Sequence, residues 1–466
     1  MTTLPVLSAV TALRGRLLSF DAAPASGAKP HLIADGLLRL EDGRITHVGE
    51  AAELLDGLPE GSRVIDHRPH LVMAGFVDPH LHMPQTQVIG SYGAELMEWL
   101  ARYTFPEESR YGDPEVAGEA SVFLVDELLR SGTTTAAVYC TSHPVSVDAF
   151  FAESRRRDLR MVAGKVMMDR NAPEALLDTA QSGYEQSKAL IERWHGTGRL
   201  EYAITPRFAP TSTEAQLEAS GALAREHPDL HIQTHLSENH AEIAFVAELF
   251  PWSRDYLDVY ERYGLVREKA LFGHCIHLTE REREMLGGAR ASAIFCPTSN
   301  LFLGSGLFDR RGVAAAGARI GLATDIGGGT SYSMLRTVAE AYKVLALQGQ
   351  ALTAFDAFHM MTAGNAEAMG LGERIGRLAP GFEADLVVLD TAATPAMRRR
   401  MGRCETLAEE LFVLLTMGDD RSVVATYAAG VKRHDRQNFD GPPLPERPDA
   451  PSLAEPGFDP LEDGEQ

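Results

Sequence analysis

The feature that most constrains this chain is an alternation. Between about Ala74 and Gly372 a short apolar run, a polar or Gly/Pro turn and a helical pattern follow one another repeatedly. Parallel β/α units read this way, because two parallel strands can be joined only by a crossover long enough to hold a helix. Candidate strands run over Gly75–His82, Thr133–Tyr139, Met161–Asp169, Glu201–Pro210, His231–Glu238, Ala270–His277, Ser292–Asn300 and Arg319–Gly327. Stretches between them, such as PEVAGEASVFLVDELLRSG and HAEIAFVAELF, carry apolar residues at i, i+3 and i+4. Eight such units predict an α/β chain whose residues 74–372 form a (β/α)8 barrel of TIM type.

The flanks read differently. Residues 1–73 and 373–440 hold short β-like runs, LLRLEDGRITHVG and ADLVVLD among them, with DG and PG turns. They predict one small β-sandwich domain built from both chain ends. Residues 441–466 are rich in Pro and acids and are expected to form an extended surface tail.

Charge narrows the class of partner. Lys and Arg number 44 against 65 Asp and Glu, a formal charge of −21, which argues against a nucleic-acid backbone or an anionic membrane and favours a small neutral substrate. The four cysteines are scattered and form no C-x-x-C pair, so neither a disulfide framework nor a cysteine zinc site is expected, and a reducing cytoplasm is the natural home. The first residues, MTTLPVLSAV, lack the basic and long apolar regions of a secretion signal, and no run reaches the roughly 20 apolar residues of a membrane span.

Chemistry enters with FVDPHLHMPQT, Phe76 to Thr86. On a strand His80 and His82 project to one side with Leu81 turned away, a geometry that suits two ligands on one ion. A pair of polar residues at a strand end looks the same, so position must decide. In a (β/α)8 enzyme the chemistry sits at the carboxyl ends of the strands. There the first strand ends in His80 and His82, the fifth in His235 with Glu238 three residues on, the sixth in His274 and the eighth in Asp325. Three imidazoles and a carboxylate suit a divalent, zinc-like ion that keeps one position for water.

This combination resembles the amidohydrolase superfamily, and ERIGRLAPGFEADLVVLD is similar to its return into the β-domain. The blocks PHLHMPQTQVIGSYG, EWLARYTFPEE, ITPRFAPTST, QTHLSEN, FGHCIHL, CPTSNLFLGSGLFD and ATDIGGGTSYSMLRT, in that order from about Met73 to Arg336, resemble the guanine deaminases within it. The resemblance implies hydrolytic deamination of guanine to xanthine and ammonia, part of purine catabolism, by a cytoplasmic homodimer with one Zn2+ per chain, Fe2+ being the alternative. It makes His80, His82, His235 and Asp325 the metal ligands, Glu238 the proton shuttle and His274 the residue that orients the attacking water. Asp325 is also placed to take that water's proton.

For the substrate, the planar fork of Arg207 can donate to O6 and N7 of a purine, and Gln85 can address the same edge. Trp99 and Phe208 offer ring contact or ordinary core packing. Lys165, inside the third strand, reads as structural, because the carboxylated lysine of two-metal relatives ends the fourth. Competing readings are a sister aminohydrolase acting on 8-oxoguanine, cytosine, a triazine or another purine, and a non-enzymatic relative serving as a scaffold. His240-Ala241-Glu242 imitates half of the H-x-E/P-C-x-x-C deaminase signature, but no P-C-x-x-C exists in the chain.

Overall fold

A computed structural model of the chain describes residues 11–24, 27–93 and 96–438. The acidic tail, residues 441–466, lies outside them. Four strands open the chain: β1 (Thr11–Ser19), β2 (His31–Glu41), β3 (Arg44–Glu50) and β4 (Arg63–Ala74). The barrel follows with β5 (Phe76–His82), β6 (Thr133–Tyr139), β7 (Arg160–Gly164), β8 (Val166–Met167), β9 (Glu201–Pro206), β10 (His231–Leu236), β11 (Ala270–His274), β12 (Ser292–Phe295) and β13 (Arg319–Leu322). The chain then returns through β14 (Leu386–Leu389), β15 (Val423–Ala428) and β16 (Val431–Asp435).

The barrel strands pair in parallel in the order β13-β12-β11-β10-β9-β7-β6-β5, with β8 on β9. Helices such as Pro114–Arg130, Pro144–Arg156, Ala180–Trp194 and Glu214–Glu226 connect them and cover the outside. Every residue of β5, β6, β7, β9, β10, β11 and β12 is buried, which is why these strands carry few charged side chains. Inside, Val77, Ala137, Val162, Ala203, Leu271 and Ile294 form a layer that fills the barrel below its carboxyl end.

Several strands differ from the reading of the sequence. The third is split at Lys165, whose buried ammonium pairs with Asp178. The seventh stops at Phe295, since Pro297 opens the helix Pro297–Phe302. The fourth ends at Pro206, the sixth at His274 and the eighth at Leu322, each short of the expected end.

The flanking strands form one sheet, β16-β15-β14-β4-β1-β2-β3, antiparallel except for β1 beside β4. The β2–β3 hairpin also folds back on the segment before β14: Ile45 N donates to Phe382 O at 2.9 Å and Ala384 N to Gly43 O at 2.8 Å. Leu13, Leu38, Val72, Leu386 and Tyr427 fill the space enclosed. The C-terminal flank also carries two helices that its β-like runs did not announce, Pro395–Met401 and Leu407–Met417. Their Met397, Leu411, Leu414 and Leu415 join the core around the barrel.

Candidate active site

The site begins with a bulge in β5. Phe76 packs on the outer side of the barrel wall and Val77 on the inner. Strict alternation would then turn Leu81 inward and both histidines outward. Instead the register against β6 slips between Asp78 and Leu81, one extra residue is accommodated, and Leu81 faces the outer core. His80 and His82 thereby point into the barrel mouth. Asp78 holds the bulge, accepting hydrogen bonds from the Thr324 hydroxyl, from Thr324 N at 3.1 Å and from His80 N at 3.4 Å. The same seam is closed by Asp325 N on His80 O at 3.0 Å and His82 N on Ile326 O at 2.6 Å.

On β10 the outward residues are Ile232 and Leu236, so His235 faces inward. On β11 alternation assigns His274 to the outside with Phe272. The left-handed backbone at His274 (φ 71°) and Cys275 (φ 54°) breaks that pattern and brings the ring in. Asp325 is likewise left-handed, at φ 52°.

These turns bring five predicted residues together. Ring nitrogens of His80, His235 and His274 lie within 4.8 Å of one another. Asp325 Oδ1 is 3.3 Å from His80 Nε2 and 3.4 Å from His82 Nε2. His235 donates from Nδ1 to Arg207 O at 2.7 Å, which leaves its Nε2 as a lone pair 3.2 Å from His82 Nε2. Both ring nitrogens of His80 and Nδ1 of His82 are buried without a hydrogen-bond partner. Orphaned, convergent imidazole nitrogens beside a carboxylate are a donor set that fits a divalent ion.

Electrostatics agree with that fit. Burial lowers His82 to about 4, His274 to about 3 and His235 well below the ordinary imidazole range, so these rings are neutral, the state in which they bind metal. Burial alone would raise Asp325, but its contacts with His80 and His82 hold it well below the carboxylate range. Burial, with the Asp325 and Glu242 carboxylates nearby, raises Glu238 well above that range and keeps it a proton donor. Glu238 Oε2 stands 3.3 Å from His274 Nε2.

Beside this cluster lies a pocket lined among others by Gln85, Trp99, Arg207, Phe208, Glu238 and Asp325. All four predicted substrate-facing residues are therefore at one pocket. The Trp99 indole is pinned by Nε1 to Ser91 O at 3.2 Å. Lys165 is turned instead to Asp178, in keeping with a structural role.

Several residues at the site were not singled out from the sequence. Glu108 is fully buried and accepts from Arg207 Nη1 and from Gln85 Nε2 at 3.0 Å. It lay in the EWLARYTFPEE block with no signal separating it from Glu107. The Tyr139 ring packs on His80, His82 and His235 at 4.8, 4.6 and 4.9 Å between centroids. Asn300 and Ser305 touch His274 and Glu238. Cys296 places its sulfur within 4.8 Å of His80 and Asp325 ligand atoms, and burial keeps its thiol protonated.

Comparison with known proteins places this geometry. Residues 71–432 match the model of the amidohydrolase family. The chain is 50% identical to guanine deaminase of Escherichia coli over 398 residues, covering 85% of this chain and 91% of the relative. It is 39% identical to a probable guanine deaminase of Deinococcus radiodurans, with 90% and 97% covered. The solved E. coli guanine deaminase superposes with a TM-score of 0.90 at 48% identity, over 91% of this chain and 100% of that one. The guanine deaminase of C. acetobutylicum, solved with bound guanine in its active site, superposes with a TM-score of 0.83 at 27% identity, over 91% and 99%. By sequence and by fold, the chain belongs to the amidohydrolase family, among its guanine deaminases.

Proposed function

We infer that this protein deaminates guanine hydrolytically, releasing ammonia and xanthine. The observation that carries the reading is the coexistence, in a chain half identical to an E. coli guanine deaminase, of a His/Asp cluster and an Arg207–Glu108–Gln85 wall facing one pocket.

His80, His82, His235 and Asp325 would hold one divalent ion, with zinc favoured by the imidazole-rich set. When bound, such an ion supplies Lewis acidity that brings a water's pKa to about 7. The remaining steps belong to the chain. Asp325 accepts the proton of the attacking water as its oxygen adds to C2 of the base. Glu238, kept protonated by burial, gives its proton to N3. The proton taken by Asp325 then passes to the amine as the C2–amine bond breaks, ammonia leaves, the C2 hydroxyl returns its proton to Glu238, and xanthine remains. His274, within 3.3 Å of Glu238 and 3.9 Å of Asp325, orients the water between the two carboxyl groups.

The wall accounts for substrate choice. Gln85 is held by Gly327 N donating to its Oε1 at 3.2 Å and by its own Nε2 donating to Glu108, so its free N–H faces the pocket as a donor. Arg207 also only donates. Two donors match the acceptors O6 and N7 of guanine and oppose the 6-amino group of adenine, and Trp99 and Phe208 flank the ring.

No helix among the described residues is long and apolar enough to cross a membrane. The reading also carries a cytoplasmic homodimer acting in purine catabolism, whose assembly sedimentation would measure. The experiment that tests the function is steady-state ammonia release from guanine, 8-oxoguanine, adenine and cytosine, with metal analysis of the same sample. A site built on substrate hydrogen bonds rejects an analogue lacking them by about 10⁴-fold. Equal rates on guanine and adenine would overturn the purine-edge assignment.

A further inference from the structure

The chain between β12 and β13 supplies two side chains that touch the proton-handling groups rather than the pocket. Asn300 Nδ2 donates to His274 Nδ1 at 3.0 Å, and Ser305 Oγ donates to Glu238 Oε1 at 2.9 Å. Both are buried, and neither lines the cavity. Ser305 is itself fixed on both sides, since its N–H reaches Asn300 O at 2.9 Å and its carbonyl accepts from His277 Nε2 at 2.8 Å. Left-handed Gly304 (φ 67°) lets the chain turn there.

A glutamate carboxyl turns about a broad, roughly two-fold torsion, so nothing intrinsic decides which oxygen carries the proton. In a shuttle that decision matters, because a proton on the oxygen facing away from the substrate is useless until the group rotates. We propose that Ser305 is a positioning residue which fixes the rotation of the Glu238 carboxyl group and so keeps Oε2 turned to His274. By donating to Oε1 the hydroxyl holds that oxygen on the far side, and Oε2 stays 3.3 Å from His274 Nε2, the nitrogen that carries the ring's hydrogen when Asn300 donates to Nδ1. Glu242 completes the fixation from the other end, its Oε2 accepting from Glu238 N at 2.9 Å. The shuttle is thus held at its backbone and at its far oxygen, with its near oxygen turned to His274.

This rests on Glu238 being the shuttle, and the test separates the two. The kcat and KM for guanine are measured, with metal content, for Ser305→Ala, Glu238→Gln and the double variant. Loss of one neutral hydrogen bond predicts that Ser305→Ala lowers kcat by about tenfold. KM should stay within about twofold, metal should be retained, and Ser305→Ala should cause no further loss in the Glu238→Gln background, as a residue acting through Glu238 must. Ser305→Thr should recover most of kcat, and Ser305→Cys, a weaker donor of similar size, should fall between Ser and Ala. Equal losses in both backgrounds would make Ser305 merely structural and overturn the proposal, as would an effect confined to KM or a Cys variant no better than Ala. Near-normal kcat in Glu238→Gln alone would overturn the shuttle itself, and this inference with it.

Discussion

Glu108 and Arg207, 99 residues apart in sequence, form a buried ion pair with Nη1 2.9 and 2.6 Å from the two carboxylate oxygens. Their side chains are 0% and 3% exposed, and the guanidinium also lies 5.3 Å from the centre of the Phe105 ring. Because Gln85 shares the same carboxylate, one acid orients both donors of the proposed substrate wall. Removing one partner of a buried pair strands the other charge, a cost of about 3–5 kcal/mol. Glu108→Ala should therefore lower the urea midpoint and sharply reduce kcat/KM for guanine. Adding Arg207→Leu should restore much of the stability and none of the activity. A double variant as unstable as Glu108→Ala would contradict this account.

The metal assignment predicts that activity and ion are lost together. His82→Ala removes a ligand that stands between His235 and Asp325, and a remnant of three donors loses geometry as well as affinity. Elemental analysis after gel filtration should find the ion strongly depleted. Full occupancy with normal turnover would exclude His82 from the ligand set.

Chemistry and binding separate at Glu238. Glu238→Gln keeps the shape and removes the acid, so kcat should fall by about 10²-fold or more, the usual scale for a lost general acid or base, with metal retained and guanine still bound. An unchanged kcat would require another group to carry the proton.

A backbone position tests the same site from behind. A Cβ on Gly273 would lie 2.6 Å from His80 Cε1, too close for the ring to stay in place. Gly273→Ala should weaken metal binding although it alters no ligand. Gly288→Ala, where nothing lies within 4 Å, is the control and should leave metal content unchanged. Comparable metal loss in both variants would point to global destabilisation instead.

Buried imidazoles should make this protein sensitive to acid, against the opposing pull of Asp78 and Glu242, whose carboxyls burial raises to about 7. Burial lowers His67, bonded to the Tyr427 hydroxyl at 2.7 Å, to about 4, and lowers His359 to about 4 as well. Unfolded, both would titrate near 6.5. Between these values the unfolded chain binds more protons at these rings than the folded one, so the stability they contribute rises with pH there and is lost as pH falls from about 6.5 toward 4. Urea midpoints of the metal-free protein should drop between pH 7 and pH 5, and equal midpoints would refute the burial of neutral rings.

Much of this architecture is legible along the chain because it is local. The strand–turn–helix alternation survives in the barrel, since parallel strands buried on both faces carry few charged side chains and each crossover needs an amphipathic helix. His80, His82, His235, His274 and Asp325 could be gathered from four separate strand ends because one rule of the fold puts chemistry at the carboxyl ends of its strands. The helices Pro395–Met401 and Leu407–Met417 escaped notice among β-like neighbours, their stability coming from packing on the barrel rather than from their own pattern.

What the sequence determined by itself, then, is the supply of residues, their order and their place on strand ends. Which way they point was decided in three dimensions. The H-x-H spacing puts both imidazoles on one side of β5, but a single extra residue in the ladder with β6, held by Asp78 on Thr324, chooses the inner side. At His274 a left-handed backbone overrides alternation, a strain that only the surrounding structure can maintain. Glu108 had no mark of its own beside Glu107; it became the hub of the proposed substrate wall because the barrel brought a strand-end arginine within 3 Å of it, and a buried charge must find its partner wherever the fold provides one.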